Sequence, residues 1–319
     1  MLCKICDNLV NKKLVLTRSG KKKAVFFCNK CDFEFFNYNP KKNLEANKLD
    51  IFRLYKAGLR IPSKNIDFLN GLRQSKTYIN TYFFKERRKK LNILDIGCSW
   101  GSFLYSVKKK GHNPFGIELN KIRINFVKKK LNIACENNLD FYEKENIKFD
   151  YIFLIYSIEY FIDPKNYIIR LLKNLKKNGK IIIITPNKND LLKKVLKEKK
   201  YSNFFYDINS VNYFSSKSLK KLLLLLKVRK YNMHYRQGYS LVNFFNWFFF
   251  KKPFFTGYVG EDRFIEDIIK KLKNNYKNSK EYKKTILSFA KFIKKISNDY
   301  KLLATKNKLA NIITLEIYK

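Results

Sequence analysis

From about residue 91 the chain alternates short apolar runs with amphipathic stretches, the pattern of strands and helices in βαβ units of a parallel sheet. Asn92 to Ile96 reads as the first strand and Ser102 to Lys110 as a helix. Phe115 to Leu119 follows as a strand, Lys121 to Leu131 as a helix, and a third short strand falls near Ile133 to Glu136. Asp150 to Ile155 is apolar almost throughout, as a central strand buried on both faces is. A helix over Asn166 to Lys177, a turn at Asn178-Gly179 and a strand Lys180 to Thr185 stopped by Pro186 come next. Leu219 to Leu226 predicts a further helix and Val228 to His234 a sixth strand. The rhythm then breaks. Residues 237–258 are aromatic and irregular, and 261–306 are helical, with Ile286, Phe289, Ile293, Ile296 and Tyr300 forming one apolar packing stripe at spacings of three and four. Asn311 to Tyr318 alternates, with Ile313, Leu315 and Ile317 on one side, and predicts a closing strand of the sheet.

Ahead of this core, Leu14 to Leu16, Ala24 to Phe27 and Phe33 to Tyr38 read as three short strands ending at Pro40. They run among two cysteine pairs, Cys3-x-x-Cys6 and Cys28-x-x-Cys31, the two-knuckle layout of a zinc ribbon. Each pair points two thiolates at one ion, and two pairs complete a closed tetrahedral site. The residue after each knuckle favours a left-handed backbone, and Asp7 and Asp32 are among the non-glycine residues that tolerate it best. Residues 41–90 read as a connector of two or three short helices broken at Gly58, Pro62 and Gly71. The organisation expected is a ribbon at 1–40, a helical connector at 41–90, an α/β core at 91–236, an aromatic and helical insertion at 237–310, and the closing strand at 311–319.

The 319 residues have room for one large domain and a small module, and 45% hydrophobic content marks a chain that folds. A net charge of +42 points by itself to nucleic acid or an anionic membrane. The excess lies in 57 Lys against 11 Arg, beside abundant Asn, Ile, Phe and Tyr, which A/T-rich codons explain without a selected partner. Arginine, the residue preferred for bidentate phosphate and base contacts, is the scarce one, so nucleic acid is not the favoured partner. No apolar run approaches the ~18 to 20 residues of a membrane span, Leu222 to Leu226 and Phe244 to Phe250 being far too short. The first residues, Met1-Leu2-Cys3-Lys4, lack a secretory signal, so the cytoplasm is expected, with cysteines serving as ligands or core rather than in disulfides.

The chemistry concentrates in Leu94-Asp95-Ile96-Gly97-Cys98-Ser99-Trp100-Gly101-Ser102-Phe103, a strand running through a glycine turn into a helix. Such a turn lets a ligand sit against bare backbone at the carboxyl end of a sheet. A pyrophosphate site would want G-x-G-x-x-G; here the glycines are Gly97 and Gly101, and Asp95 would repel a pyrophosphate but suits a ligand bearing an amino group and a sulfonium. Glu118 ends the second strand, 23 residues after Asp95, where an acid accepts hydrogen bonds from ribose hydroxyls. Asp140 after the third strand is expected to meet an adenine amino group, with Leu139 against the ring.

These segments resemble the class I S-adenosylmethionine-dependent methyltransferases over roughly residues 88–236. Leu94-Asp95-Ile96-Gly97-Cys98 is similar to their glycine motif and Gly116-Ile117-Glu118 to their ribose-binding acid. Phe149-Asp150-Tyr151-Ile152 with Ser157-Ile158-Glu159-Tyr160-Phe161-Ile162-Asp163-Pro164 resembles their fourth-strand motif. Leu175 to Lys180 with Thr185-Pro186-Asn187 resembles the approach to strand five, and Val211 to Ser215 a later segment. Where relatives often have Glu-His, this chain has Glu159-Tyr160. The resemblance implies a doubly wound, Rossmann-like α/β sheet and S-adenosylmethionine as cofactor. It also implies a cofactor pocket of Asp95, Gly97, Cys98, Gly101, Glu118, Leu119, Leu139, Asp140, Ile155 and Tyr156. Tyr160, Glu159 and Tyr213 are the candidates nearest the methyl group, and His234, near the end of the sixth strand, is the histidine that could serve as a base near neutral pH. His112 falls in a turn at the amino edge of the sheet and is excluded.

A ribbon joined to such a core resembles methyltransferases of sugar and polysaccharide pathways, and Gln237 to Leu241 with Asn243, Trp247, Lys252 and Pro253 resembles a segment of members associated with surface glycans. The implied acceptor is a sugar or nucleotide-sugar, with Tyr239 to Phe255 offering faces for a sugar ring. The rivals are an RNA methyltransferase and a non-catalytic S-adenosylmethionine-binding module.

Overall fold

The computed structural model describes residues 1–37, 64–83, 90–207, 209–253, 270, 274 and 280–319. Its centre is a seven-stranded sheet built from β4 (Asn92–Ile96), β5 (Asn113–Ile117), β6 (Ala134–Glu136), β7 (Phe149–Ile155), β8 (Leu175–Pro186), β10 (Tyr231–Arg236) and β11 (Ile312–Tyr318). Their order is β10-β11-β8-β7-β4-β5-β6. Strands β4 to β8 pair in parallel, and β11 inserts antiparallel between β8 and β10. The fold is thus the doubly wound, Rossmann-like α/β sheet expected, with its last strand in the closing position. Ile152, Phe153, Leu154 and Ile181 to Ile184 are all at most 1% exposed, because helices cover both faces of β7 and β8. Strand order turns back at β4, whose neighbours are β5 and β7, and a crevice opens at such a point outside the carboxyl ends of the strands.

Several boundaries move for local reasons. The helix expected over Asn166 to Lys177 is Pro164–Lys173, started by the Asp163 carboxylate accepting from the Asn166 amide at 3.0 Å. It stops early because Leu175 pairs with Phe149 and is buried, so β8 begins there and passes through a register shift before Lys180. The sixth strand starts at Tyr231 rather than Val228, since Lys227 turns left-handed and the Val228 amide still bonds back to Leu223. The second and third strands begin two residues early and one late, at Asn113 and Ala134, and β5 ends at Ile117, leaving Glu118 just past it.

Residues 237–253 are not irregular throughout. Leu241–Phe250 is a helix, capped by Ser240 accepting from the Asn243 amide at 3.1 Å, with Trp247 buried against Tyr201 and Phe204. The helix Lys280–Lys306 packs mainly through its second half. Ser297, Tyr300 and Ala304 are buried, whereas Phe289 is 50% exposed and Ile296 sits at the exposed margin, so the predicted stripe holds at Tyr300 and fails at those two positions. The side chain of Ile286 is outside the described residues.

In the connector, Gly58 and Pro62 lie outside the described residues. Gly71 is not a break: α1 (Lys64–Phe83) runs straight through it. A β-carbon at Gly71 would stand 2.5 Å from Ser102 Oγ, so glycine here permits α1 to press against α2 (Ser102–Lys109). Ser102 Oγ in turn donates to the Phe68 carbonyl at 3.0 Å. Gly71→Ala is expected to break that bond and lower stability by about 1–2 kcal/mol despite alanine's better helix propensity, read as a lowered midpoint in urea unfolding. An unchanged midpoint would show that α1 does not depend on this close approach.

The N-terminal strands β1 (Asn11–Leu16), β2 (Lys22–Cys28) and β3 (Phe33–Phe36) continue into the core, because β3 pairs antiparallel with β9 (Asn212–Tyr213). Tyr38 and Pro40 fall outside the described residues. The junction is charged and buried. Lys188 donates to Asp32 at 2.7 Å and Glu34 at 3.3 Å, Lys13 donates to Glu34 at 2.8 Å, and the Tyr206 hydroxyl donates to Glu34 at 2.7 Å. Burial alone would raise the Glu34 carboxyl, but Lys193, Lys188 and Lys13 hold it well below the usual carboxylate range.

Candidate active site

Gly97 (φ +78°), Ser99 (φ +53°) and Gly101 (φ +75°) give the turn between β4 and α2 three left-handed residues. The Gly97 and Cys98 amides bond to the Ile117 carbonyl at 2.7 and 3.0 Å, locking the turn to the end of β5. Glu118, buried just past β5, accepts from the Ser99 amide and the Asn120 amide, both at 2.9 Å. Its carboxylate therefore fixes the turn and the entry to α3 (Lys121–Leu131) together. Asp95 is buried, and burial, then the Glu118 charge, raises its carboxyl to about 7. Its Oδ1 and the nearby Ser157 Oγ have no hydrogen-bond partner within the protein. A β-carbon at Gly97 would come 3.1 Å from Ser157 Cβ, so the turn, Asp95 and Ser157 bound one small space of bare backbone and orphaned acceptors. That donor and acceptor set fits a ligand carrying an amino group and hydroxyls.

The other expected cofactor residues are placed more variously. Ile155 and Tyr156 stand at the carboxyl end of β7, beside the turn. Cys98 turns its thiol inward, 3.7 Å from the buried Cys135 thiol, and offers the turn only backbone. Leu119 is 83% exposed, and Leu139 is buried in the core. Asp140 opens α4 (Asp140–Lys144) with its carboxylate on Arg170 at 2.5 Å, a guanidinium shared with Glu143 at 2.6 Å.

Next to this turn is a cleft of about 430 Å³ at the carboxyl ends of β7, β8 and β10. Glu159, Tyr160 and Tyr213 all line it, together with Tyr78, Tyr156, Tyr201 and Tyr239. Burial raises the Tyr78 phenol, and the Asp95 charge adds to the rise. Glu159 is buried, accepts a 3.3 Å bond from Thr185 Oγ1, and is raised by burial to about 8. Asp190, also buried, is raised to about 6 by burial against the pull of its bond from the Tyr201 hydroxyl. The Tyr213 hydroxyl is spent on the Asp207 carbonyl at 2.7 Å. His234 does not reach the cleft. Its ring is 60% exposed on the edge strand β10, 3.9 Å from Glu316. Among the described residues of the aromatic segment from Tyr239, only Tyr239 lines the cleft; Phe254 and Phe255 are outside the described residues. His112 is buried against Phe83 at the other edge of the sheet.

The raised Glu159 carboxyl has a thermodynamic consequence. Between its unfolded value of 4.5 and about 8 the folded protein keeps a proton that the unfolded chain has released. Stability from this group is therefore complete below about pH 4.5 and is lost as pH climbs through 8, at up to ~1.4 kcal/mol per pH unit. Glu159→Gln is expected to flatten that slope, so the variant gains on the parent by a few kcal/mol between pH 5 and 8. Melting temperatures across that range check it, and parallel profiles would remove the buried proton from Glu159.

At the N-terminus the four sulfurs of Cys3, Cys6, Cys28 and Cys31 lie within 4.8 Å of one another, with Cys3 to Cys31 at 3.5 Å and Cys6 to Cys28 at 3.6 Å. Tetrahedral thiolates on zinc stand roughly 3.8 Å apart, so the set fits such an ion with no ligand missing. Asp7 and Asp32 both adopt the left-handed backbone, φ +56° and +58°, and their amides bond back to Cys3 and Cys28. The cleft also contains residues the motifs did not single out: Arg18 from the turn after β1, Arg73 and Tyr78 from α1, Asp190, Asp207 and Arg236. For the three arginines the only signal in the sequence was that arginine is rare, and the other three gave none.

Residues 72–225 match the family model described as a methyltransferase domain. An uncharacterized protein of Methanocaldococcus jannaschii is 34% identical over 110 residues, 34% of this chain and 46% of that protein. The β subunit of DNA-directed RNA polymerase from Carsonella ruddii is 28% identical over 253 residues, 70% of this chain but 19% of the subunit. The chain spans less than two thirds of the length of the curated relatives it matches. Among solved structures, a SAM-dependent methyltransferase from Archaeoglobus fulgidus aligns over 78% of this chain and 94% of its own, at 17% identity and a TM-score of 0.46. Among the described residues, no helix is long and apolar enough to cross a membrane.

Proposed function

We propose that this chain, whose residues 72–225 match a methyltransferase domain, is an S-adenosylmethionine-dependent methyltransferase and that it methylates a small, sugar-like acceptor held in the cleft beside the glycine turn. The observation that carries the reading is the cleft itself. Its volume suits one small ligand, and its walls alternate tyrosine rings with polar groups, the surface a sugar ring stacks on and hydrogen-bonds to. A sugar or nucleotide-sugar of a surface glycan pathway is the acceptor class we favour.

S-adenosylmethionine, when bound, supplies an electrophilic methyl group on a sulfonium. Gly97, Ser99 and Gly101 would lie against it with backbone, Glu118 would accept from its ribose, and Asp95 with Ser157 would receive its amino group. Asp140 and Leu139 are left out of this assignment because Arg170 and the core occupy them. On the acceptor side, Glu159 lines the cleft with a carboxyl raised by burial to about 8; it is mostly protonated at neutral pH, and its carboxylate form, which grows as pH rises toward 8, would take a proton from a hydroxyl or amine. Tyr160 lines the same wall, Tyr213 positions the Asp207 loop, and His234 has no part. Orientation of acceptor and methyl donor in adjoining pockets supplies much of the acceleration. At the N-terminus the four cysteines would hold one structural zinc.

The test is transfer of labelled methyl from S-adenosylmethionine to a nucleotide-sugar pool and, separately, to total RNA at near-physiological salt. Label in the nucleotide-sugar fraction is expected. Stoichiometric labelling of a defined RNA site overturns the acceptor class, since RNA binding driven by the lysine excess would fall steeply with salt and label no single site.

A further inference from the structure

The chain has 57 Lys and 11 Arg, yet the basic residues lining the cleft are Arg18, Arg73 and Arg236, and among the described residues no lysine lines it. The three come from unrelated places: the turn after β1, the middle of α1, and the last residue of β10. A codon bias toward lysine acts on every position alike, so arginine gathered at one cleft asks for a local cause. The physical difference between the two residues supplies one. Lysine offers a point charge, whereas the guanidinium is a planar fork that matches an oxyanion with two parallel hydrogen bonds.

We infer that the acceptor carries a phosphate or diphosphate group and that Arg73 and Arg236 grip it, with Arg18 closing the third side. The inference rests on the reading of this cleft as the acceptor site and adds the chemistry that selects the acceptor.

The three arginines are not equivalent. Arg18 is already engaged: it pairs with Asp207 at 3.3 Å, donates from Nε to the Phe204 carbonyl at 2.9 Å, and lies 4.2 Å over the Phe204 ring. It forms a fixed wall. Among the described residues neither Arg73 nor Arg236 has a carboxylate within 4.0 Å, so both keep their charge for a ligand. Arg236 sits beside the Tyr78 hydroxyl, a neutral partner that orients the fork without neutralising it. The remaining acids of the cleft do not offset these charges, because Asp190 is turned to the Tyr201 hydroxyl and Glu159 to Thr185. Two free forks converging on one cleft need several acceptor oxygens in a tetrahedral array, which a phosphate has and a lone carboxylate lacks. A nucleic-acid groove would instead track a backbone over several nucleotides, and this cleft holds its charges around a single small volume.

The probe is inorganic pyrophosphate, titrated calorimetrically into the full chain at 0.15 M salt on the order of physiological strength, with and without S-adenosylhomocysteine. One equivalent is expected to bind the parent. Arg73→Gln and Arg236→Gln are each expected to weaken it by roughly tenfold or more, with melting temperatures unchanged. Arg236→Lys, which keeps the charge and loses the fork, is expected to weaken it nearly as much, while Lys110→Gln, remote on α2's end, leaves it alone. No pyrophosphate binding, or binding that is equal in all variants, overturns the clamp. So does full rescue by Arg236→Lys, which would make the group a point charge, and so does malonate binding as tightly as pyrophosphate. Failure of S-adenosylhomocysteine to bind while pyrophosphate still does would tell against the cofactor pocket instead, leaving the clamp standing.

Discussion

Glu118→Ala is expected to lower the affinity for S-adenosylmethionine by about ten- to a hundredfold. The carboxylate sits at the end of the second core strand with one oxygen on the Ser99 amide of the glycine turn and the other on the Asn120 amide at the start of α3. Its remaining lone pairs would be the acceptors for ribose hydroxyls. Charge-assisted hydrogen bonds contribute roughly 1.5–3 kcal/mol each, and about 1.4 kcal/mol is tenfold in a dissociation constant. Alanine removes these bonds and also leaves the Ser99 amide of the turn and the Asn120 amide at the entry to α3 without acceptors, so the loss has a direct and a conformational part. Glu118→Gln separates them, since an amide oxygen still serves one of the two amides. Titration with S-adenosylhomocysteine reads both variants, and unchanged affinity in Glu118→Ala would take Glu118 out of the cofactor site.

The second large effect is expected from removing metal. One zinc per chain should be found by metal analysis, and stripping it, or replacing Cys28 with serine, should lower the melting temperature by roughly 10 °C or more, structural zinc being a major part of the folding free energy of such sites. The four thiols lie within 4.8 Å of one another, and without an ion deprotonated cysteines this close repel one another. The loss should be selective. The N-terminal sheet is joined to the core through β3 and β9, and its β1–β2 turn carries Arg18 into the acceptor cleft. Metal-free protein should therefore keep S-adenosylhomocysteine binding, which depends on the turn after β4, and lose acceptor binding. A metal-free chain that melts like the parent would dismiss the ion, and equal loss of both ligands would dismiss the selectivity.

What the sequence determined by itself was whatever is encoded locally. The strand Asn92–Ile96, the helix Lys121–Leu131, the left-handed residues after each cysteine pair and the closing strand at the end of the chain follow from apolar periodicity and turn chemistry, which act over a few residues. The glycine turn and Glu118 were legible for the same reason, because the backbone conformation and the acid that fixes it lie on adjoining strand ends. Gly71 misled because glycine breaks a helix only when nothing repays its place there, and the repayment, contact with Ser102, is 31 residues away. Asp140 was assigned to the cofactor by its place after a strand, but its partner Arg170 arrives from another helix. Glu159, Tyr160 and Tyr213 of the cleft lay in motifs, but the rest of it was hidden for a stronger version of this reason. Arg18, Arg73, Asp190 and Arg236 share no motif and no period; they meet because β3 pairs with β9, α1 packs against the sheet, and β11 joins β10 to β8. Local rules fix which way each side chain points from its own element, and only the packing of the elements decides what it faces.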